Sequence, residues 1–161
     1  MGDAGNKGKV EAYPRMLVPI LKMDQELREI NSLAHESDRT SALPKALAIL
    51  QNGSYDKIAF KKVFNAYSDN IYYSDPDRAN AYLGGGATPK NEQSIAYLLR
   101  NDILTNVEAL IAEVEYLIKT PEEGTEDLFI YSDITTSAMK KYLAIVPPNE
   151  LEAALKMLAS N

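Results

Sequence analysis

The sequence has no cysteine and no tryptophan, and only one histidine and three phenylalanines in 161 residues. The lack of cysteine removes disulfides, a thiol nucleophile and thiolate metal sites together, and leaves the compartment open. His35 has no acid three residues before it, so the paired Glu-x-x-His ligands of carboxylate-bridged di-metal bundles cannot be assembled. It stands beside Glu36 near an expected helix end, where the plain reading is a solvated histidine rather than a ligand or general base.

Long apolar runs are also missing. Arg100, Asp102, Glu108, Glu113 and Glu115 interrupt the longest apolar segment, short of the ~18 uncharged residues of a membrane span. Residues Met1 to Val10 are small, polar and charged and carry no signal-peptide pattern. Two options stand: a cytosolic protein, or a mature exported chain. No alternating strand pattern occurs anywhere. A formal charge of −6 and a pI near 4.9 argue against general nucleic-acid binding.

What is present is an ordinary globular composition, 45% hydrophobic and 25% charged, with helical periods throughout. The longest runs from Thr88 to Lys119, where Ile95, Leu99, Ile103, Val107, Leu110, Val114 and Leu117 mark one helix face. Thr88 is an N-cap, Pro89 suits the first helical position, and Thr120-Pro121 closes the far end. Before it, residues 1–12 read as a flexible arm with three glycines. Residues 13–36 form a first helix that Pro19 should kink or restart. A short helix from Ser41 to Gln51 and a second piece through Ile58, Phe60, Phe64, Tyr67 and Ile71 make an interrupted second helix.

Asp75-Pro76-Asp77 starts a turn or two of helix to Leu83, ended by Gly84-Gly85-Gly86. The glycines read as a stop and hinge, since Lys90 lacks the following Ser or Thr of a phosphate loop. After the turn at Pro121 to Gly124, a fourth long helix carries Leu128, Tyr131, Ile134, Ala138, Tyr142 and Ile145 until Pro147-Pro148. Asn149 and Glu152 resemble a capping box for a last short helix.

The expected fold is all-α, an up-down-up-down four-helix bundle over residues 13–146, with the arm at 1–12 and a short C-terminal helical appendage at 147–161. Ten tyrosines are a clear bias. Tyr67, Tyr97, Tyr131 and Tyr142 sit in or beside the apolar stripes, whereas Tyr72 and Tyr73 are adjacent and cannot both face one core.

Charge is uneven along the chain: residues 1–62 sum to +2 and residues 63–161 to −8. Glu113, Glu115, Glu122, Glu123, Glu126 and Asp127 crowd the turn between the third and fourth long helices, against Lys119 alone. The opposite pole would gather Lys7, Lys9, Arg15, Lys90, Lys140 and Lys141 near Tyr72 and Tyr73. Two readings stand: these charges solvate exposed helix ends, or the basic pole docks on an acidic protein surface with the tyrosines as anchors.

The run Ile95-Ala96-Tyr97-Leu98-Leu99-Arg100-Asn101-Asp102-Ile103-Leu104, in the third helix of a four-helix chain, resembles the PsbQ-like extrinsic subunits of photosystem II. The arm, the interrupted second helix, the size and the final helix are most similar to the algal, diatom-type members. The resemblance implies a thylakoid-lumen protein, peripheral on the membrane and delivered by a cleaved presequence. It would bind the photosystem II core and other extrinsic subunits, supporting oxygen evolution by shielding the manganese-calcium cluster and retaining calcium and chloride. It implies no catalysis by this chain, no cofactor of its own, and a monomer when free. Plant members are basic with a proline-rich arm, whereas this chain is acidic with a Gly/Lys arm, so the contact residues named above come from the charge map alone. The alternatives are a helical adaptor with another partner, or a small-molecule or metal-binding bundle.

Overall fold

The computed structural model describes residues 2–71 and 89–160, with side chains from Tyr13 to Ile71 and from Gln93 to Ser160. These residues form six α-helices and no strand, an all-α chain. We number them α1 (Gly2–Ala34), α2 (Arg39–Leu50), α3 (Lys57–Ser68), α4 (Pro89–Lys119), α5 (Glu126–Ile145) and α6 (Pro148–Ala159), with a single 3-10 turn at Gly53–Tyr55. The helix expected from Asp75 to Leu83, the Gly84-Gly85-Gly86 stop and the Thr88 cap lie outside the described residues.

α1 differs from expectation at its start. It begins at Gly2 rather than near Tyr13, and runs without a break through Pro14 and Pro19. Once the packed part from Tyr13 onward is helical, each further residue adds a hydrogen bond without a new nucleation cost. Each proline forfeits one backbone donor, and the Pro14 ring is buried beside Tyr13.

The buried residues repeat at intervals of seven, the spacing of helices that pack nearly aligned along a shared seam. In α1 these are Tyr13, Ile20, Leu27 and Ala34; in α4, Ala96, Ile103, Leu110 and Leu117, with Val107 and Val114 between them. In α5, Leu128, Thr135 and Tyr142 alternate with Ser132 and Met139, and Val146 follows at the cap. This period corrects two apolar faces read from the sequence. Ala96 takes the buried position at the start of α4, which turns Ile95 (50% exposed) and Leu98 (64% exposed) outward. Likewise Ser132 and Thr135, with Met139, are buried in α5 while Ile134 is 44% exposed. The two hydroxyls are tolerated because they are bonded: Ser132 accepts from Asn31 Nδ2 at 2.8 Å and Thr135 donates to the Tyr131 carbonyl at 2.6 Å.

α1 packs against α2, α3, α5 and α6, and α4 against α2, α3 and α5. Specific contacts fix the directions. Glu26 accepts from Tyr55 at 2.9 Å while Asn70 reaches Met16, so α3 runs antiparallel to α1. Gln93 donates to the Ser68 carbonyl and Arg100 to Asn65, so α4 reverses again. The 120–125 turn reverses α5 against α4, and His35 stacks on Phe129 where α1 ends. The break between α2 and α3 is held on α1, because Asn52 and Tyr55 both donate to Glu26. α6 starts at Pro148, with Pro147 at the cap and no side-chain capping bond, in place of the Asn149 box. Its Ala154 is fully buried in the same apolar cluster as the other helices, with Leu151 and Leu158 packed against it, so α6 shares the core.

Candidate docking surfaces

The acidic end is built by the α4–α5 turn and the α1–α2 connection. Arg39, the first residue of α2, donates Nη1 to the Glu123 carbonyl at 2.7 Å and brings the two loops together. Exposed Glu36, Asp38, Glu122, Glu123, Glu126 and Asp127 surround that bond. On α4, Glu113 is raised above its ordinary carboxylate value by burial and then by the nearby Asp127 charge. Arg39 Nε and Nη2 are buried with no hydrogen-bond partner. Arg39 also walls a cavity of about 160 Å³ with Leu43, Pro44, Leu117 and Pro121.

The opposite end is cross-linked by polar side chains. Tyr67 donates to Glu150 at 2.7 Å, and the Ser68 and Tyr142 hydroxyls meet at 2.5 Å. Burial pushes Tyr142 up to about 12. Tyr97 donates to Asp69, and burial followed by this bond raises it to about 12. Arg100 donates to Asn65 at 2.5 Å and to Asn101 at 2.8 Å, with its guanidinium 5.2 Å from the Tyr97 ring centroid. Arg100 lies four residues after Ala96 and seven before Val107, a seam position of the heptad pattern that here carries a charge. Tyr97 and Arg100 of the family-like run therefore fasten α4 to the end of α3.

The sequence-derived contact residues are only partly gathered. Arg15 is exposed on α1, next to the Met16 that Asn70 reaches, and so lies at the cross-linked end. Lys140 and Lys141 are both exposed but diverge. Lys140 borders a groove of about 580 Å³ between α1 and α5 with Asp24, Arg28, Thr136 and Ser137. Lys141 borders one of about 280 Å³ between α4 and α5 with Leu99, Asp102, Asp133 and Ile134. Lys7 and Lys9 fall within α1 and Lys90 within the first turn of α4, their side chains outside the described residues, as are Tyr72 and Tyr73 altogether.

Sequence reasoning missed Arg100, Asp69, Glu150 and Arg39. For Arg100 a signal existed, a charge at a heptad position; for the others none did, because their partners lie on distant helices. Among the described residues no group of three or more His, Asp or Glu side chains is arranged to hold a metal ion. No helix among them is long and apolar enough to cross a membrane. No family model, curated protein or solved structure matches the chain.

Proposed function

We propose that the protein is a non-catalytic extrinsic accessory subunit that docks on the lumenal face of photosystem II. In this reading α1, the α2–α3 pair, α4 and α5 form an up-down-up-down four-helix bundle, peripheral on the thylakoid membrane. The bundle supports oxygen evolution by stabilising the manganese-calcium cluster and retaining calcium and chloride.

The observation that carries the reading is the separation of charge along the helices. Six exposed acids gather around the Arg39–Glu123 bond, whereas exposed Arg15, Lys140 and Lys141 lie toward the other end. Such a dipole orients a protein before contact, and the exposed cations meet an acidic membrane-protein surface first. The Ile95 to Leu104 run adds the family resemblance.

The test is rebinding to photosystem II membranes stripped by a salt wash, with oxygen evolution as the readout. Restored evolution supports the reading, as does weaker and less salt-dependent rebinding of a Lys140→Glu, Lys141→Glu variant. No restoration, or variant binding identical to the parent across a salt titration, removes it. A helical adaptor for another partner is the second reading. It is favoured by the internal bonds of Tyr97 and Arg100, which account for that run through packing alone.

A further inference from the structure

The outward face of α5 has a regularity that core packing does not use. Its exposed residues recur at helical spacing: Ile130, then Asp133 and Ile134, Ser137, Lys140 and Lys141, and Ala144. Ile130 is 50% exposed, close to Ile134, so two large aliphatic side chains stand on one solvent-facing stripe. The halves differ in charge, with Glu126 and Asp133 before Ser137 and Lys140 and Lys141 after it. Lys140 makes no ion pair with any described residue. Asp133 accepts from Asn31 at 2.9 Å and lies 3.5 Å from His35 Nε2 through one oxygen, stays largely exposed and has room for a further donor on the other.

We propose that this face is the interface of a homodimer in which two α5 helices pack antiparallel about a twofold axis at Ser137. A twofold interface is self-complementary, and in an antiparallel pair each edge of the stripe meets the same edge of the second copy, with the residues before Ser137 against those after it. Asp133 and Lys140 share the edge toward α1, and Ile134 and Lys141 the edge toward α4. Asp133 then faces Lys140 of the second copy, and symmetry makes the pair twice. Ile130 faces Ala144, and Ile134 lies under the methylene stem of Lys141. Ser137, small and exposed on the axis, lets the two backbones approach. Beside the stripe, Lys141 and Ile134 share a groove with Leu99 and Asp102 of α4, and Leu99 adds apolar area at the rim.

A second copy fits this surface better than an unrelated partner of one charge. A uniformly acidic partner repels the Asp133 half and a uniformly basic one repels the Lys141 half, whereas antiparallel self-pairing satisfies both. This replaces the expectation of a free monomer. It shares Lys140 and Lys141 with the photosystem reading but does not rest on it, because its readout is the isolated chain in buffer.

The experiment is sedimentation equilibrium of the full chain across about a hundredfold range of concentration. The parent is expected to dimerise. Asp133→Lys and Lys140→Asp, each alone, place like charges opposite one another and are expected to weaken the dimer about tenfold or more. Mixing the two single variants restores opposite charges at both symmetric positions, so the mixture should form a heterodimer where neither variant dimerises alone. That recovery separates loss of the interface from loss of the fold, and circular dichroism of each variant checks the fold directly. A parent that stays monomeric throughout overturns the proposal. So does a dimer that neither variant weakens, or a mixture that remains monomeric.

Discussion

The Tyr67 hydroxyl donates to the Glu150 carboxylate at 2.7 Å inside the core, joining α3 to the first turn of α6 across 83 residues of sequence. Glu150 is only 7% exposed, and its place in the first turn sets a negative charge where the helix dipole favours one. The bond fixes the C-terminal helix to the rest of the protein, alongside the apolar packing of Ala154.

Tyr67→Phe removes a buried donor to a carboxylate while keeping the ring. It should lower stability by about 1.5–3 kcal/mol, the range for hydrogen bonds to charged groups. Urea unfolding gives the loss, and hydrogen exchange should show α6 opening more readily than α4. A variant as stable as the parent would leave α6 held by apolar contacts alone.

Tyr142 provides a pH prediction. Its phenol rises from an ordinary value of 10.0 to about 12 because it is buried, against the edge of Phe64 among others, and the bond to Ser68 offsets only part of that rise. The folded state keeps this proton longer than the unfolded state. The stabilisation is fully present below pH 10 and is lost as pH rises toward 12, with a slope of about 1 kcal/mol per pH unit. Tyr55, also raised well above its ordinary value by burial and Glu26, adds to the same loss. Unfolding midpoints measured between neutral pH and the alkaline limit should fall accordingly, less steeply for Tyr142→Phe.

The helices themselves were legible in the sequence because apolar periodicity is local. The limits of α4 follow from Pro89 and Thr120-Pro121, and the break between α2 and α3 from Asn52-Gly53. The exact phase was not legible. Ile95 and Ile134 look like core residues at four-residue steps, but the seven-residue seam selects Ala96 and Thr135 instead. A small or polar residue is buried there because a neighbouring helix lies close, and that closeness is a tertiary property. The charge dipole was partly legible: the acids of the α4–α5 turn are contiguous in sequence. The divergence of Lys140 and Lys141 to two sides of α5 depends on where α1 and α4 pack.

Arg39 gives an unusual prediction about a cation in an acidic surround. Two of its nitrogens are buried without partners, an arrangement that costs about 1–3 kcal/mol. Screened attraction to the exposed acids nearby returns only about 0.2–1 kcal/mol per pair. Arg39→Met, which keeps the side-chain stem, is therefore expected to raise stability by about 1 kcal/mol despite breaking the bond to Glu123. Thermal unfolding at low and high salt checks it, and a clear loss at both would show that those nitrogens find partners in solution.

Glu113, on α4 near Asp127, points the same way. Burial and the Asp127 charge raise its carboxyl above 4.5, so ionised Glu113 is disfavoured in the folded state. The site favours folding below the unfolded value and loses that contribution as pH rises through the folded one. Glu113→Gln should raise the unfolding midpoint at neutral pH, with the gain shrinking in high salt and vanishing in acid. A midpoint shift independent of pH would assign the effect to packing instead.

The Arg100–Asn65 bond allows the family-like run to be separated into packing and docking. Arg100 spends its donors on Asn65 and Asn101 and its face on Tyr97, all within this chain. A double-mutant cycle with Arg100→Ala and Asn65→Ala should give a coupling of about 1 kcal/mol, because one partner is charged and the pair is only part-buried. If the run serves packing, Arg100→Ala lowers stability yet rebinds stripped membranes as the parent does at temperatures where it is folded. Lys140→Glu, Lys141→Glu should show the converse, near-parental stability with weakened rebinding. An Arg100→Ala variant of full stability that no longer rebinds would instead move the docking surface onto α4.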